Sequence, residues 1–147
     1  MDLQFDSKGY LTPYHIHSID KETLQDIFVT NVGRKEIYLC YLQVIESLIN
    51  IVGGGFYVWV NGSFISLKEN PNDIDMVVFI DYSLCEKYEK ELNDVRKMNV
   101  LIDLYRVKVY PQSHKYHFRT EFDKQEWEFL FSTDRKKNAK GFVQINY

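Results

Sequence analysis

Apolar residues recur along this chain first at helical and then at strand spacing. Residues 9 to 17 read as an extended lead-in, after which Ser18 or Asp20 is placed to cap a short helix over about 21–29. Between about 35 and 52, Ile37, Tyr41, Val44/Ile45 and Leu48 return every three or four residues, which predicts a longer helix. Gly53-Gly54-Gly55 ends it, because glycine accepts the left-handed cap conformation. Residues 56–60 read as a short buried strand, followed by a turn at Asn61-Gly62-Ser63 and a segment of ambiguous pattern to Asn72. A second strand is expected over 73–80. A charged helix over 83–97 then carries Leu84, Tyr88, Leu92 and Val95 on one face. The third strand, 100–110, stops before Pro111; residues 122–131 read as helical and 141–147 as a last, edge strand. Helices on a small mixed sheet of three to five strands make the expected fold class α+β.

Composition narrows the class. With 147 residues, one domain spanning 1–147 is expected, and a chain this long buries roughly 70% of its unfolded surface. Eleven Tyr and ten Phe supply a core and exclude intrinsic disorder. Eighteen Lys+Arg against 21 Asp+Glu leave a net charge of −3, which argues against holding nucleic acid by bulk charge. Cys40 and Cys85 are too few and too far apart for a disulfide framework or zinc ribbon, and read as small buried hydrophobes. The polar start, Met1 to Gly9, does not resemble a signal peptide, and no apolar run approaches the ~20 residues of a membrane span. Asn61-Gly62-Ser63 matches a glycosylation sequon, which carries no meaning without a secretory signal. A cytoplasmic location, with no membrane partner, is the expectation.

The candidate chemistry lies in carboxylates. Asp73 and Asp75 are two apart in strand pattern, so both side chains leave one face, and an apolar run, Met76 to Ile80, follows them. Like charges at the end of a buried strand repel, and a divalent cation with oxygen ligands, Mg²⁺ or Mn²⁺, removes the repulsion. The plainer alternative puts Asn72-Asp73 in a turn after Pro71, with only Asp75 half-buried. Asp103 interrupts the apolar run Val100 to Tyr105, where a carboxylate needs neutralisation, a base such as Arg106 or Arg119, or a metal. If its strand neighbours residues 73–80, three carboxylates converge, enough to hold two cations as in phosphoryl transfer. Gly62-Ser63, nine residues before Asp73, is a small flexible pair whose N–H groups and hydroxyl can approach a phosphate.

Other chemistries fit less well. Gly53-Gly54-Gly55 lacks the Gly-Lys-Ser/Thr of a P-loop, and Ser63 lacks the second glycine of a nucleophile elbow. His15/His17 and His114/His117 have no cysteine partners for zinc. The run Arg135 to Gly141 reads as a solvated loop, with contact to RNA or phosphate the alternative, and Trp127 reads as core.

Gly62-Ser63, nine residues and Asp73-Ile74-Asp75 together resemble the signature of polymerase-β-type nucleotidyltransferases, above all the minimal forms. The words Asn61 to Lys68, Asn70 to Asp75, Gly9 to His17 and Asp134 to Gly141 resemble an uncharacterised bacterial branch of that superfamily, so the likeness spans nearly the whole chain, with a core over about 36–110. The resemblance implies a Gly-Ser at a helix start holding nucleotide phosphates, and Asp73, Asp75 and Asp103 holding two Mg²⁺ or Mn²⁺ ions. It implies transfer of an NMP from an NTP such as ATP to a hydroxyl on protein or RNA, with a partner of toxin–antitoxin or phage-defence type. Many minimal members carry Arg-Gly shortly after Gly-Ser, where this chain has Ile65-Ser66-Leu67; Lys68 is the substitute cation nearby. Some members keep the fold and lose catalysis, so the alternative is a non-catalytic module that binds a partner protein or nucleotide.

Overall fold

Local signals explain most of the elements of the computed structural model, which describes residues 3–147. The lead-in forms β1 (Gln4–Phe5), β2 (Leu11–Thr12) and β3 (Ile16–Ser18). Asp20, not Ser18, caps α1 (Lys21–Phe28) by accepting the Thr23 N–H at 2.7 Å. Asn31 does the same for α2 (Val32–Val52), accepting the Arg34 N–H at 2.8 Å and starting that helix three residues before the apolar pattern predicts. Then come β4 (Tyr57–Asn61), β5 (Ile74–Asp81), α3 (Tyr82–Lys87), α4 (Glu89–Arg96), β6 (Ile102–Val109), α5 (His117–Phe131) and β7 (Phe142–Asn146). The charged segment expected as one helix is thus two, broken at Tyr88, where the backbone leaves helical values (φ −114°, ψ 29°).

Five strands form one mixed sheet in the order β3-β7-β4-β5-β6, and β1 pairs with β2 in a separate two-stranded sheet. The outer pairs, β3 with β7 and β5 with β6, are parallel; β7–β4 and β4–β5 are antiparallel. The last strand is therefore not an edge strand. Residues 16–18 of the lead-in pair along its outer side and give its backbone a second partner.

Alternation along β5 sorts the two faces. Met76, Val78 and Ile80 face a core shared with Val58, Val60 and the Tyr41, Val44 and Leu48 stripe of α2. Val77 and Phe79 face the other way, into a smaller cluster of Trp59, Val107, Phe142 and Phe131 of α5. Burying each such side chain stabilises the fold by about 1.5–3 kcal/mol, so a one-residue slip of β5 would forfeit many kcal/mol. That register decides which polar residues meet at the strand ends. Cys85 is buried in α3, Cys40 is half-buried in α2, and neither is in a disulfide. Among the described residues no helix is long and apolar enough to cross a membrane.

Candidate metal centre

The antiparallel register pairs Asn61 with Asp75, and the parallel register pairs Asp75 with Asp103, so three polar residues lie in one row across β4, β5 and β6. All share the α5 face, by the same alternation that puts Trp59, Val77 and Val107 there. Asp73 precedes β5 by one residue and joins them. One carboxylate oxygen from each of Asp73, Asp75 and Asp103 lies within 4.8 Å of the others. Strand pairing thus brings together the three aspartates singled out in the sequence.

Their burial differs from expectation. Asp73 and Asp75 are half-buried, but Asp103 is exposed. It sits on the outermost strand near its start, where Tyr105 on the same face is also exposed and burial begins only at Val107. Asp103 therefore needs no base to neutralise it. Arg106 lies on the opposite face and donates to Asn93 Oδ1 at 3.4 Å, while the Arg119 guanidinium stacks 4.0 Å above the Tyr116 ring.

Burial first, and then mutual repulsion, fall on the middle carboxylate. Burial, the charge of Asp73, and Asp103 as both hydrogen-bonding and charged neighbour push the Asp75 carboxyl up to about 6, with Lys140 pulling the other way. Asp73 is also raised, by burial and by Asp103, against the pull of Arg135 and Lys68. Three hard oxygen donors in such a site favour a hard divalent cation over a soft one.

Gly62 makes room for this cluster. Its φ is +88°, and a Cβ there would stand 3.1 Å from Asp75 Oδ2. A tight turn follows, with the Ile65 N–H donating to Gly62 O at 3.1 Å, but no helix begins there; the backbone runs irregularly to β5. The expected helix start at Gly-Ser is thus absent, and with it any helix-dipole contribution to anion binding. The local reason is Arg34. This guanidinium is 2% exposed, has no carboxylate partner, and donates to Phe28 O at 3.0 Å, to Phe64 O and Ser66 O at 2.8 Å each, and to Lys68 O. These bonds tie the carbonyls of the loop to a side chain of α2 and fix its irregular path. The N–H groups of Ser63 and Phe64 make no hydrogen bond among the described residues.

The cluster opens on a cavity of about 550 Å³ lined by, among others, Asn61, Ser63, Asp75, Trp127, Arg135 and Lys140. Of these, Asn61 was read only as part of a turn, and Lys140 only as part of a run whose plainer reading was a solvated loop. Asn61 is 3% exposed; its Nδ2 donates to Phe131 O at 3.2 Å, which fixes the amide's orientation, and its buried Oδ1 has no partner. An asparagine closing an apolar strand beside Gly62 was the available signal. Lys140, expected in a solvated run, is 8% exposed. The run folds back because Asp134 accepts from Tyr10 Oη at 2.6 Å and from the Lys136 and Asn138 N–H groups at 2.8 Å each. Those bonds hold the Asp134 carboxyl far below the usual carboxylate range and push the Tyr10 phenol up to about 12.

Trp127 is both core and wall, with its ring centroid 4.7 Å from Tyr105 and 5.5 Å from Phe131. The histidines are elsewhere: His15 and His17 stack at 4.7 Å and bond to Ile16 O and Pro13 O, and His117 pairs with Glu121. Among the described residues the three aspartates are the only cluster with the spacing of metal ligands. No curated protein and no solved structure matches the chain. A family model does, over residues 3–146, and on that match the chain that carries this cavity and the adjoining cluster of aspartates belongs to the family described as "Family of unknown function (DUF6932)".

Proposed function

We propose that the chain is a metal-dependent nucleotidyltransferase of the polymerase-β type, which moves an NMP from an NTP to a hydroxyl on protein or RNA. The observation that carries the reading is the convergence of Asp73, Asp75 and Asp103 within 4.8 Å. The donor set suits Mg²⁺ or Mn²⁺: three carboxylate oxygens that repel one another, with the unpartnered Asn61 Oδ1 lining the same cavity. Bound there, the divalent ions supply charge that offsets the growing negative charge on the phosphate oxygens.

The chain's own residues do the rest. Asp73 and Asp75 hold the ions, and Asp103, the most accessible of the three, faces the acceptor and helps to orient and deprotonate its hydroxyl. Ser63 offers its hydroxyl and a free N–H to the β- and γ-phosphates from a turn that Gly62 keeps close to Asp75. The new bond joins the acceptor oxygen to the α-phosphorus, the α–β bridging bond breaks, and pyrophosphate leaves. Positioning and charge dominate such chemistry, so a small domain suffices. A partner of toxin–antitoxin or phage-defence type, acting as acceptor or as regulator, belongs to the same reading.

One observation favours a second reading. The Gly-Ser turn leads into no helix, which weakens the phosphate side of the site and fits a module that binds a nucleotide or partner protein without turnover. Label transfer separates the two: each labelled NTP with Mg²⁺ or Mn²⁺ and total protein or RNA, using wild type, Asp73→Ala, Asp75→Ala and Ser63→Ala. The enzyme reading expects near-complete loss for the aspartate variants and a roughly 5- to 30-fold loss for Ser63→Ala, one hydrogen bond to a charged group. Nucleotide binding without transfer for any base or metal decides for the module.

A further inference from the structure

Lys140 is a buried residue whose ammonium has no protein partner and keeps access to the cavity. The residue is 8% exposed, yet its ammonium makes no ion pair and no hydrogen bond among the described residues. Its stem is packed while its ammonium meets only the cavity, a position in which a flexible four-carbon stem would normally swing to a nearby carboxylate.

The backbone holds it in place. The Lys140 N–H donates to Ser132 O at 2.9 Å, and the next N–H, of Gly141, donates to Leu11 O at 2.8 Å. A Cβ at Gly141 would meet Pro13 O at 2.7 Å and Leu11 O at 2.8 Å, so the chain is clamped between the lead-in and the end of α5. Strand alternation into β7 then sets the direction. Phe142, two residues on, lies in the α5-side cluster, and Lys140 faces the same way, into the cavity that Asp75 lines. Lys68 and Arg135 line that cavity too, but both are exposed.

We propose that Lys140 binds the phosphate chain of the substrate, its ammonium taking a non-bridging oxygen opposite the three aspartates, and so selects nucleoside triphosphates over monophosphates. This rests on the nucleotidyltransferase reading and supplies the cation that Ile65-Ser66-Leu67 leaves out after Gly62-Ser63. Charge matching favours a polyphosphate. Two divalent ions would balance Asp73, Asp75, Asp103 and the ionised Asp134, and Lys68, Arg135 and Lys140 then leave a local excess of three positive charges, which a triphosphate can match in full. A monophosphate leaves at least one of those three charges unmatched. Lys140 also acts on Asp75 as a nearby counter-charge, but the two make no direct ion pair, which leaves the ammonium free to take a ligand oxygen.

The test is titration calorimetry on the full chain with Mg²⁺ alone, then with inorganic tripolyphosphate or inorganic phosphate at saturating Mg²⁺. Wild type is compared with Lys140→Met, Lys140→Gln and Lys140→Arg, each checked for native circular dichroism. Expected are tripolyphosphate affinity at least tenfold above phosphate, a tenfold or greater loss for Lys140→Met and Lys140→Gln, and partial recovery for Lys140→Arg. Mg²⁺ affinity should be unchanged or higher in the neutral variants, since they remove a competing positive charge. Tripolyphosphate affinity within twofold of wild type in a folded neutral variant, or no tripolyphosphate binding by metal-loaded wild type, overturns the role of Lys140 and leaves the metal centre standing. Should Lys140→Met and Lys140→Gln both unfold, the Lys140 ε-CH₂ NMR signals of metal-loaded wild type, assigned by comparison with Lys140→Arg, decide: a shift on saturation with tripolyphosphate supports the proposal, and no shift overturns it. Wild type that binds no Mg²⁺ overturns the nucleotidyltransferase reading itself.

Discussion

Replacing Asp75 by Asn should stabilise the metal-free protein at neutral pH, an unusual outcome for a residue at the centre of a site. A carboxyl held near 6 instead of its ordinary 3.8 is easier to protonate in the folded chain than in the unfolded one. Between those two values the native state binds the extra proton, so unfolding free energy falls as pH rises and levels off above about 6. The full effect is at most about 3 kcal/mol, and about 1–2 kcal/mol once solvent screening of this half-buried group is allowed for, destabilising at pH 7.5 and absent below about pH 4. Asp73 is shifted in the same direction and adds to the slope. Asparagine keeps the shape, carries no charge, and so recovers most of that energy, which for a domain this size moves the melting temperature up by several degrees. The assay is urea unfolding at pH 5 and pH 7.5, with EDTA and with millimolar Mg²⁺. In EDTA, wild type should lose stability between the two pH values while Asp75→Asn changes much less. Mg²⁺ should restore wild type at pH 7.5, by about 2.7 kcal/mol at a hundred times the dissociation constant, and leave the variant unmoved. A variant no more stable than wild type at pH 7.5 in EDTA would falsify the claim that repulsion is stored at Asp75. An undiminished Mg²⁺ response in the variant would place the ions elsewhere.

Two further substitutions probe the frame around the aspartates. Gly62→Ala combines a φ of +88° with a Cβ 3.1 Å from Asp75 Oδ2, and should cost about 1–2 kcal/mol in urea unfolding while blunting the Mg²⁺-induced rise in melting temperature; an unaltered Mg²⁺ response would mean that the turn and the carboxylate are independent. Arg34→Met strips the partners from the carbonyls of Phe28, Phe64, Ser66 and Lys68 and should lower stability by about 3–5 kcal/mol, with Arg34→Lys intermediate, as read from denaturation midpoints. A loss below about 1 kcal/mol would show that the loop does not depend on Arg34.

Much of this molecule was legible locally. The period of Ile37, Tyr41 and Leu48 predicted α2, and the apolar run Met76 to Ile80 predicted β5. The two-residue spacing of Asp73 and Asp75 was enough to put both carboxylates on one face. These features depend on neighbours within a turn of helix or a few strand residues, which any stretch of sequence displays. That Asp103 completes the cluster was inferable only on the condition that β6 lies beside β5, and sheet order alone met it, Asp75 pairing with Asp103. Its exposure was decided by β6 being outermost, a property of the whole sheet and not of the run Val100 to Tyr105.

Tertiary structure alone decided the remainder. A strand at the chain's end looks like an edge until residues 16–18, more than a hundred positions away, pair with it. A basic run looks solvated until Tyr10 holds Asp134 and Leu11 holds Gly141, turning Lys140 inward. Gly62-Ser63 reads as a turn and is one, but where the resemblance implied a helix start the chain runs irregularly, with the Phe64 and Ser66 carbonyls bonded to Arg34 of the preceding helix. In each case the deciding partner is distant in sequence. Local propensity therefore determined which segments became helices and strands, while non-local hydrogen bonds and burial determined which polar groups face the cavity.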